Sequence, residues 1–187
     1  MSVTDAERPH ARPVTLLLNI AHAIDHMFLL IFAAAVATIA ADFGFAQWED
    51  LMPYGVAAFF LFGIGSWPSG RLGDLWGRRR MMLLFFFGIG ASALLCALAR
   101  DAWQLAGGLA LVGLFASIYH PVGIPMIVQH AAKPGAVIGI NGLAGNLGVA
   151  VAALVTGYLV QTLGWRPFMS WPRWRRWWSG VSSIVCR

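Results

Sequence analysis

LMPYGVAAFFLFGIGSWPSGRLGDLWGRRRMMLLFFFGIGASALLCALA, residues 51–99, is two long apolar runs, 51–69 and 81–99, on either side of a short cationic break at 70–80. A helix needs about 20 predominantly apolar residues to cross a hydrocarbon core, because each backbone donor and acceptor must find its partner within the segment. Both runs are long enough. The break is too short for a folded unit, so the pair reads as two antiparallel membrane helices joined by a tight turn.

The same pattern extends in both directions. Apolar runs at 14–40, 103–128 and 136–163 bring the number of expected spans to five, separated by polar breaks at 42–50, 100–101 and 129–135. The first run exceeds a signal-peptide core of about 7–15 residues and no small-residue cleavage site closes it, so it should stay in the bilayer. Composition agrees: 59% of the 187 residues are hydrophobic and 11% charged, against roughly 25% charged in a soluble domain. The expected fold is all-α, a polytopic membrane helical bundle whose first partner is the lipid bilayer.

The formal net charge of +5 does not point to nucleic acid, since the cations lie in short clusters between apolar runs and form no basic face. They read as topology signals. Arg8 and Arg12 precede the first span, Arg71, Arg78, Arg79 and Arg80 lie between the second and third, and Lys133 lies between the fourth and fifth. All fall on one side. The opposite breaks carry Asp42, Glu49 and Asp50, then Arg100 beside Asp101, so the N-terminus is expected in the cytoplasm. Cys96 and Cys186 give neither a disulfide framework nor a paired metal-ligand spacing.

Three regions follow: a cytoplasmic tail at 1–13, a five-helix bundle at 14–163, and a Trp/Arg-rich tail at 164–187. The tail holds Trp165, Trp171, Trp174, Trp177 and Trp178 among Arg166, Arg173, Arg175 and Arg176, with Pro167 and Pro172. It is a poor sixth span, because a central Arg costs roughly 2.5–3.5 kcal/mol on insertion scales. Two readings stay open: an interfacial amphipathic segment, or a shift of reading frame near Pro167 that leaves the chain truncated.

The cationic break itself, Gly70-Arg71-Leu72-Gly73-Asp74-Leu75-Trp76-Gly77-Arg78-Arg79-Arg80, resembles the signature loop of the major facilitator superfamily, G-x-L-x-D-R-x-G-R-R. The matches are Gly70, Leu72, Asp74, Gly77, Arg78 and Arg79; Leu75 departs from it. Gly164-Trp165-Arg166 is similar to the Gly-Trp-Arg that often follows the family's fifth helix. The resemblance covers about residues 14–166 and implies the first part of a fold with two six-helix halves, each of inverted three-helix repeats. It also implies that the motif loop helps to latch one conformation, that helices one and four line a central cavity, and that a second half completes the transporter. Residues 113–121, GLFASIYHP, look like the fourth helix of the fosmidomycin-resistance type of exporter, although 105–112 lacks the arginine often found there.

Polar residues within the spans mark the candidate path. His22, Asp25 and His26 stand at i, i+3 and i+4 and share one helical face. Ionisable groups at such depth face the bundle interior or a water-filled cavity. Tyr119 and His120 lie on the fourth span, where an offset of a turn or two would bring them level with the first-span group. Substrate or proton handling and structural polar packing are both open for this set. A histidine's unperturbed pKa of about 6.5 suits proton exchange. A metal site is not expected, because two histidines and one carboxylate lack a third supporting ligand. Gly139, Gly142 and Gly145, with Asn146 beside them, read as a small-residue stripe for close packing; the second reading, implied by the resemblance, is the Gly- and Pro-rich motif of the family's exporter branch, although the proline is lacking.

The function expected is secondary transport of a small molecule across a bacterial-type inner membrane, with no cofactor; a truncated chain that is inactive alone stands beside it, because alternating access needs a second half. A small non-catalytic membrane scaffold is the alternative. An intramembrane enzyme is disfavoured, since neither a G-x-S-x-G elbow nor an H-E-x-x-H helix is present.

Overall fold

The computed structural model describes residues 11–129 and 131–166. They form helices α1 (Ala11–Asp42), α2 (Val56–Trp76), α3 (Arg78–Leu98), α4 (Ala102–Ala116), α5 (Tyr119–Val128) and α6 (Pro134–Leu163), with a 3₁₀ segment at Trp48–Gly55 leading into α2. Five stretches are long and apolar enough to cross a membrane: Pro13–Asp42, Trp48–Trp76, Arg78–Leu98, Ala102–Val128 and Pro134–Leu163. The chain is a polytopic helical membrane protein, with no strand among the described residues. The tail beyond residue 166, including most of the Trp/Arg-rich segment, lies outside the described residues, as do His10 and His130.

Two boundaries differ from the sequence reading. The break at 70–80 is almost entirely helical: α2 runs on to Trp76, and α3 begins at Arg78. Only Gly77, at φ +92°, makes the turn, a backbone conformation that side-chain-bearing residues seldom adopt. Gly70 and Gly73 serve packing instead. A Cβ on Gly70 would meet Pro121 at 3.3 Å and one on Gly73 would meet Val122 at 3.0 Å, so both glycines admit α5 against α2.

The fourth span is not one helix. It breaks at Ser117 and Ile118 into α4 and α5, and Pro121 supplies the cause: lacking an N–H, it cannot bond the carbonyl of Ser117 four residues back. The Ser117 hydroxyl donates to the Leu114 carbonyl at 2.6 Å. At its start the span is capped by Asp101, which accepts from the Gln104 N–H at 2.9 Å.

Lipid is as apolar as the side chains, so helix association relies on close fit and polar contacts. α1 and α6 form the most extensive pairing. The residues of α6 buried against the bundle are Asn141, Gly145, Gly148, Ala152 and Thr156. A Cβ on Gly145 would meet the His22 ring at 2.7 Å, and one on Gly148 would collide with the Ala23 carbonyl. The expected stripe of Gly139, Gly142 and Gly145 is therefore corrected: a Cβ at Gly139 or Gly142 meets nothing within 4 Å. At about 100° per residue, i, i+3, i+6 spacing walks around the helix and only Gly145 reaches the buried arc.

Large apolar side chains such as Trp67, Phe87, Leu143 and Leu154 face outward, as a lipid-facing surface requires. Inside, one apolar cluster gathers Leu18, Met81, Phe85 and Val122, and another gathers Phe32, Ile39, Leu51 and Leu105. At the end of α6, Gly164 turns the chain at φ +82°. Asp42 there accepts from the Trp165 indole N–H at 3.2 Å and pairs with Arg166 at 3.4 Å. The Arg166 guanidinium also lies 4.0 Å over the Trp165 ring. Burial lowers its pKa and the Asp42 charge offsets part of that shift.

Candidate functional site

A polar cluster lies against the first apolar one, of which Tyr119 is also a member. Asp25 is fully buried and His22 nearly so. At 1.5 Å per residue, Asp25 stands about 18 Å along α1 from Pro13, near the middle of the span. His22 and His26 lie one turn apart on α1, with Nε2 atoms 3.0 Å apart. Because α5 starts anew at Tyr119, after the break at Ser117 and Ile118, it turns His120 into the same space. The His120 Nε2 lies 3.3 Å from that of His22, and its Nδ1 lies 3.7 Å from an Asp25 oxygen. Tyr119 stacks on His22, with centroids 4.8 Å apart and planes 17° apart. The structure thus brings His22, Asp25, His26, Tyr119 and His120 together.

Two asparagines that sequence reasoning did not place here complete the arrangement. Asn141 on α6 accepts from the His22 Nδ1–H through its backbone carbonyl at 2.7 Å. Its side-chain amide donates to the Asn19 amide oxygen at 2.9 Å and to the Tyr119 hydroxyl at 2.8 Å. The Tyr119 hydroxyl in turn donates to the Leu18 carbonyl at 2.7 Å. Asn19 had a signal, since it lies three residues before His22 on the same face. The signal for Asn141 was an amide inside a membrane span, which needs a partner.

Asp25 has no such partner. Neither of its oxygens has a hydrogen bond among the described residues, nor does the His120 Nδ1. A buried carboxyl without a hydrogen bond is costly, so this group calls for a proton or a cation nearby. The reason for setting a metal aside also falls. His120 is the missing third donor, and one ligand nitrogen from each of His22, His26 and His120 lies within 4.8 Å of the other two. A separate cavity of about 440 Å³, lined by residues such as Phe28, Ile31, Leu109 and Val155, is almost wholly apolar.

The motif residues lie elsewhere, at the α2–α3 turn. The exposed Asp74 pairs with the half-buried Arg78 across Gly77 at 3.6 Å. Leu72 packs against the apolar cluster around Phe85. Arg79 has no ion-pair partner among the described residues. The pairing of Asp74 is thus local to its own turn.

Residues 17–170 match the family Major Facilitator Superfamily. The chain is similar to the probable actinorhodin transporter of Streptomyces coelicolor, 30% identical over 168 residues that make up 86% of this chain and 28% of that protein. It is also similar to puromycin resistance protein pur8 of Streptomyces alboniger, 34% identical over 101 residues, or 52% of this chain and 20% of that protein. The chain spans less than a third of the length of these relatives. The match over 17–170, on five membrane-spanning stretches with the signature residues at the α2–α3 turn, has one conclusion: the chain belongs to the major facilitator superfamily.

Proposed function

We propose that the chain supplies part of the transport path of a secondary exporter of small, antibiotic-like molecules in a bacterial-type inner membrane, with its N-terminus in the cytoplasm. The observation that carries this reading is the fully buried Asp25, its oxygens without a hydrogen bond among the described residues, beside three histidines at mid-span. Intramembrane ionisable groups of this kind mark substrate or ion routes. In this reading the cluster handles the coupling cation, a proton in the simplest case, while Gly70, Leu72, Asp74, Gly77, Arg78 and Arg79 steady the cytoplasmic turn in one conformation. Alternating access needs a second bundle to rock against, and the five spans here form one side of such a pair. The names of the two relatives support an antibiotic-like substrate, and resistance is consistent with outward movement.

The test uses an efflux-deficient bacterial strain expressing the chain, with and without the remaining segment of the actinorhodin transporter as a second polypeptide. Intracellular puromycin and actinorhodin are followed with and without a protonophore. A protonophore-sensitive fall in accumulation is expected, abolished by Asp25→Asn with membrane insertion intact. No fall for either compound in either setting would sink the reading.

A further inference from the structure

We propose that His22, His26 and His120 form a binding site for a divalent transition-metal ion of the zinc type, with Asp25 as the counter-charge behind it. The inference concerns binding alone and does not depend on transport.

The first argument is distance. Zinc–imidazole bonds of about 2.0–2.1 Å in a tetrahedron place ligand nitrogens about 3.3–3.4 Å from one another. The His22 Nε2 lies 3.0 Å from that of His26 and 3.3 Å from that of His120. One ligand nitrogen from each of the three rings lies within 4.8 Å of the other two, a spread that rotation of the half-buried His26 and His120 rings can close.

The second argument concerns protons. His22 donates from Nδ1 to the Asn141 carbonyl, so in the neutral ring its Nε2 has a lone pair and no hydrogen. Both neighbouring Nε2 atoms must then donate to that one lone pair. His120, with its hydrogen on Nε2, turns a bare Nδ1 towards the Asp25 oxygen 3.7 Å away, which repels it if the carboxyl is ionised. A cation between the rings removes the conflict. Each ring gives its Nε2 lone pair to the ion, His22 keeps its bond to Asn141, and His120 carries its hydrogen on Nδ1, facing Asp25. Histidine ligands commonly hold their other N–H on a carbonyl or carboxylate in this way.

The third argument is charge and access. Asp25 is fully buried with both oxygens lacking a hydrogen bond among the described residues, so it offsets one of the ion's two charges. His26 and His120 are partly exposed, which leaves an entry path and a fourth position for water. Three imidazoles favour zinc, copper or nickel over magnesium or calcium, which prefer oxygen donors.

The experiment titrates the purified full chain, carrying a tag without histidines, with Co²⁺ in detergent and then displaces it with Zn²⁺. One Co²⁺ per chain with the visible absorption of a tetrahedral centre is expected. His26→Ala and His120→Ala should weaken binding about 100-fold or more. Asp25→Asn keeps all three ligands and should weaken it about tenfold or more. His10→Ala and His130→Ala should leave it unchanged. Zn²⁺ should also protect His22, His26 and His120 of the unsubstituted chain from diethylpyrocarbonate, read by mass spectrometry, so the proposal does not depend on any variant folding. No stoichiometric Co²⁺ binding by the helical, monodisperse chain would overturn it. So would binding unaffected by His26→Ala and His120→Ala, or protection confined to His10 and His130.

Discussion

At the scale of single residues, the side chains around the histidines are joined by hydrogen bonds that fix where each ring points. Asn141 donates to both Tyr119 and Asn19 and presents its carbonyl to His22. Such bonds average about 0.6 kcal/mol in membrane proteins and reach about 1.7. We expect Tyr119→Phe to cost roughly 0.5–1.5 kcal/mol in unfolding experiments in mixed micelles. Asn19→Ala in that background should cost less than it does alone, because both act through the Asn141 amide. Full additivity in the double-mutant cycle would show that the amide does not couple them. The one-face placement of His22, Asp25 and His26 was legible from spacing alone, since helical periodicity needs no tertiary information. The meeting with His120 was legible only as a level along the bundle. Its ring direction depends on the helix restart after Ser117, which is set by the Pro121 backbone and not by any pattern of apolar residues. Asn141 was read as packing because its sequence neighbours are glycines, and its partners come from two other helices.

At the scale of elements, the α1–α6 pair illustrates how a glycine pattern can mislead. Gly148 lies where a Cβ would strike the Ala23 carbonyl, whereas Gly139 and Gly142 face open space. Gly148→Ala should therefore destabilise the fold by about 1–3 kcal/mol, the usual range for overpacking. Gly139→Ala and Gly142→Ala should be neutral or stabilising by up to about 1 kcal/mol through helix propensity. Equal losses at all three positions in thermal unfolding of the detergent-solubilised chain would contradict this account. Hydropathy sufficed to find all five spans, because length and apolarity depend only on composition. It could not show that α2 continues through Gly70 and Gly73 to Trp76. Polar and glycine residues there looked like a loop, and only the neighbouring Pro121 and Val122 reveal why small residues sit in that helix.

At the scale of the whole molecule, two expectations can be checked without transport. In a background of Cys96→Ala and Cys186→Ala, a membrane-impermeant maleimide applied to intact cells should label Gln47→Cys and spare Arg79→Cys. The reverse pattern would invert the proposed orientation. Zinc bound by His22, His26 and His120 would link α1 to α5, so Zn²⁺ at 100 times its Kd should stabilise the chain by about 2.7 kcal/mol. No such gain is expected in His120→Ala, and an equal gain there would place the ion elsewhere. The interruption of the fourth span has a mechanical meaning as well. α5 has 10 residues and is therefore about 15 Å long; it is steadied near its start by Gly70 and Gly73 against Pro121 and Val122. That makes it a lever with its fulcrum beside His120. From that fulcrum a tilt of about 10° would swing the Val128 end by about 1.7 Å but carry the His120 backbone less than about 0.5 Å, so the mouth of the bundle could widen while the ring cluster keeps its spacing.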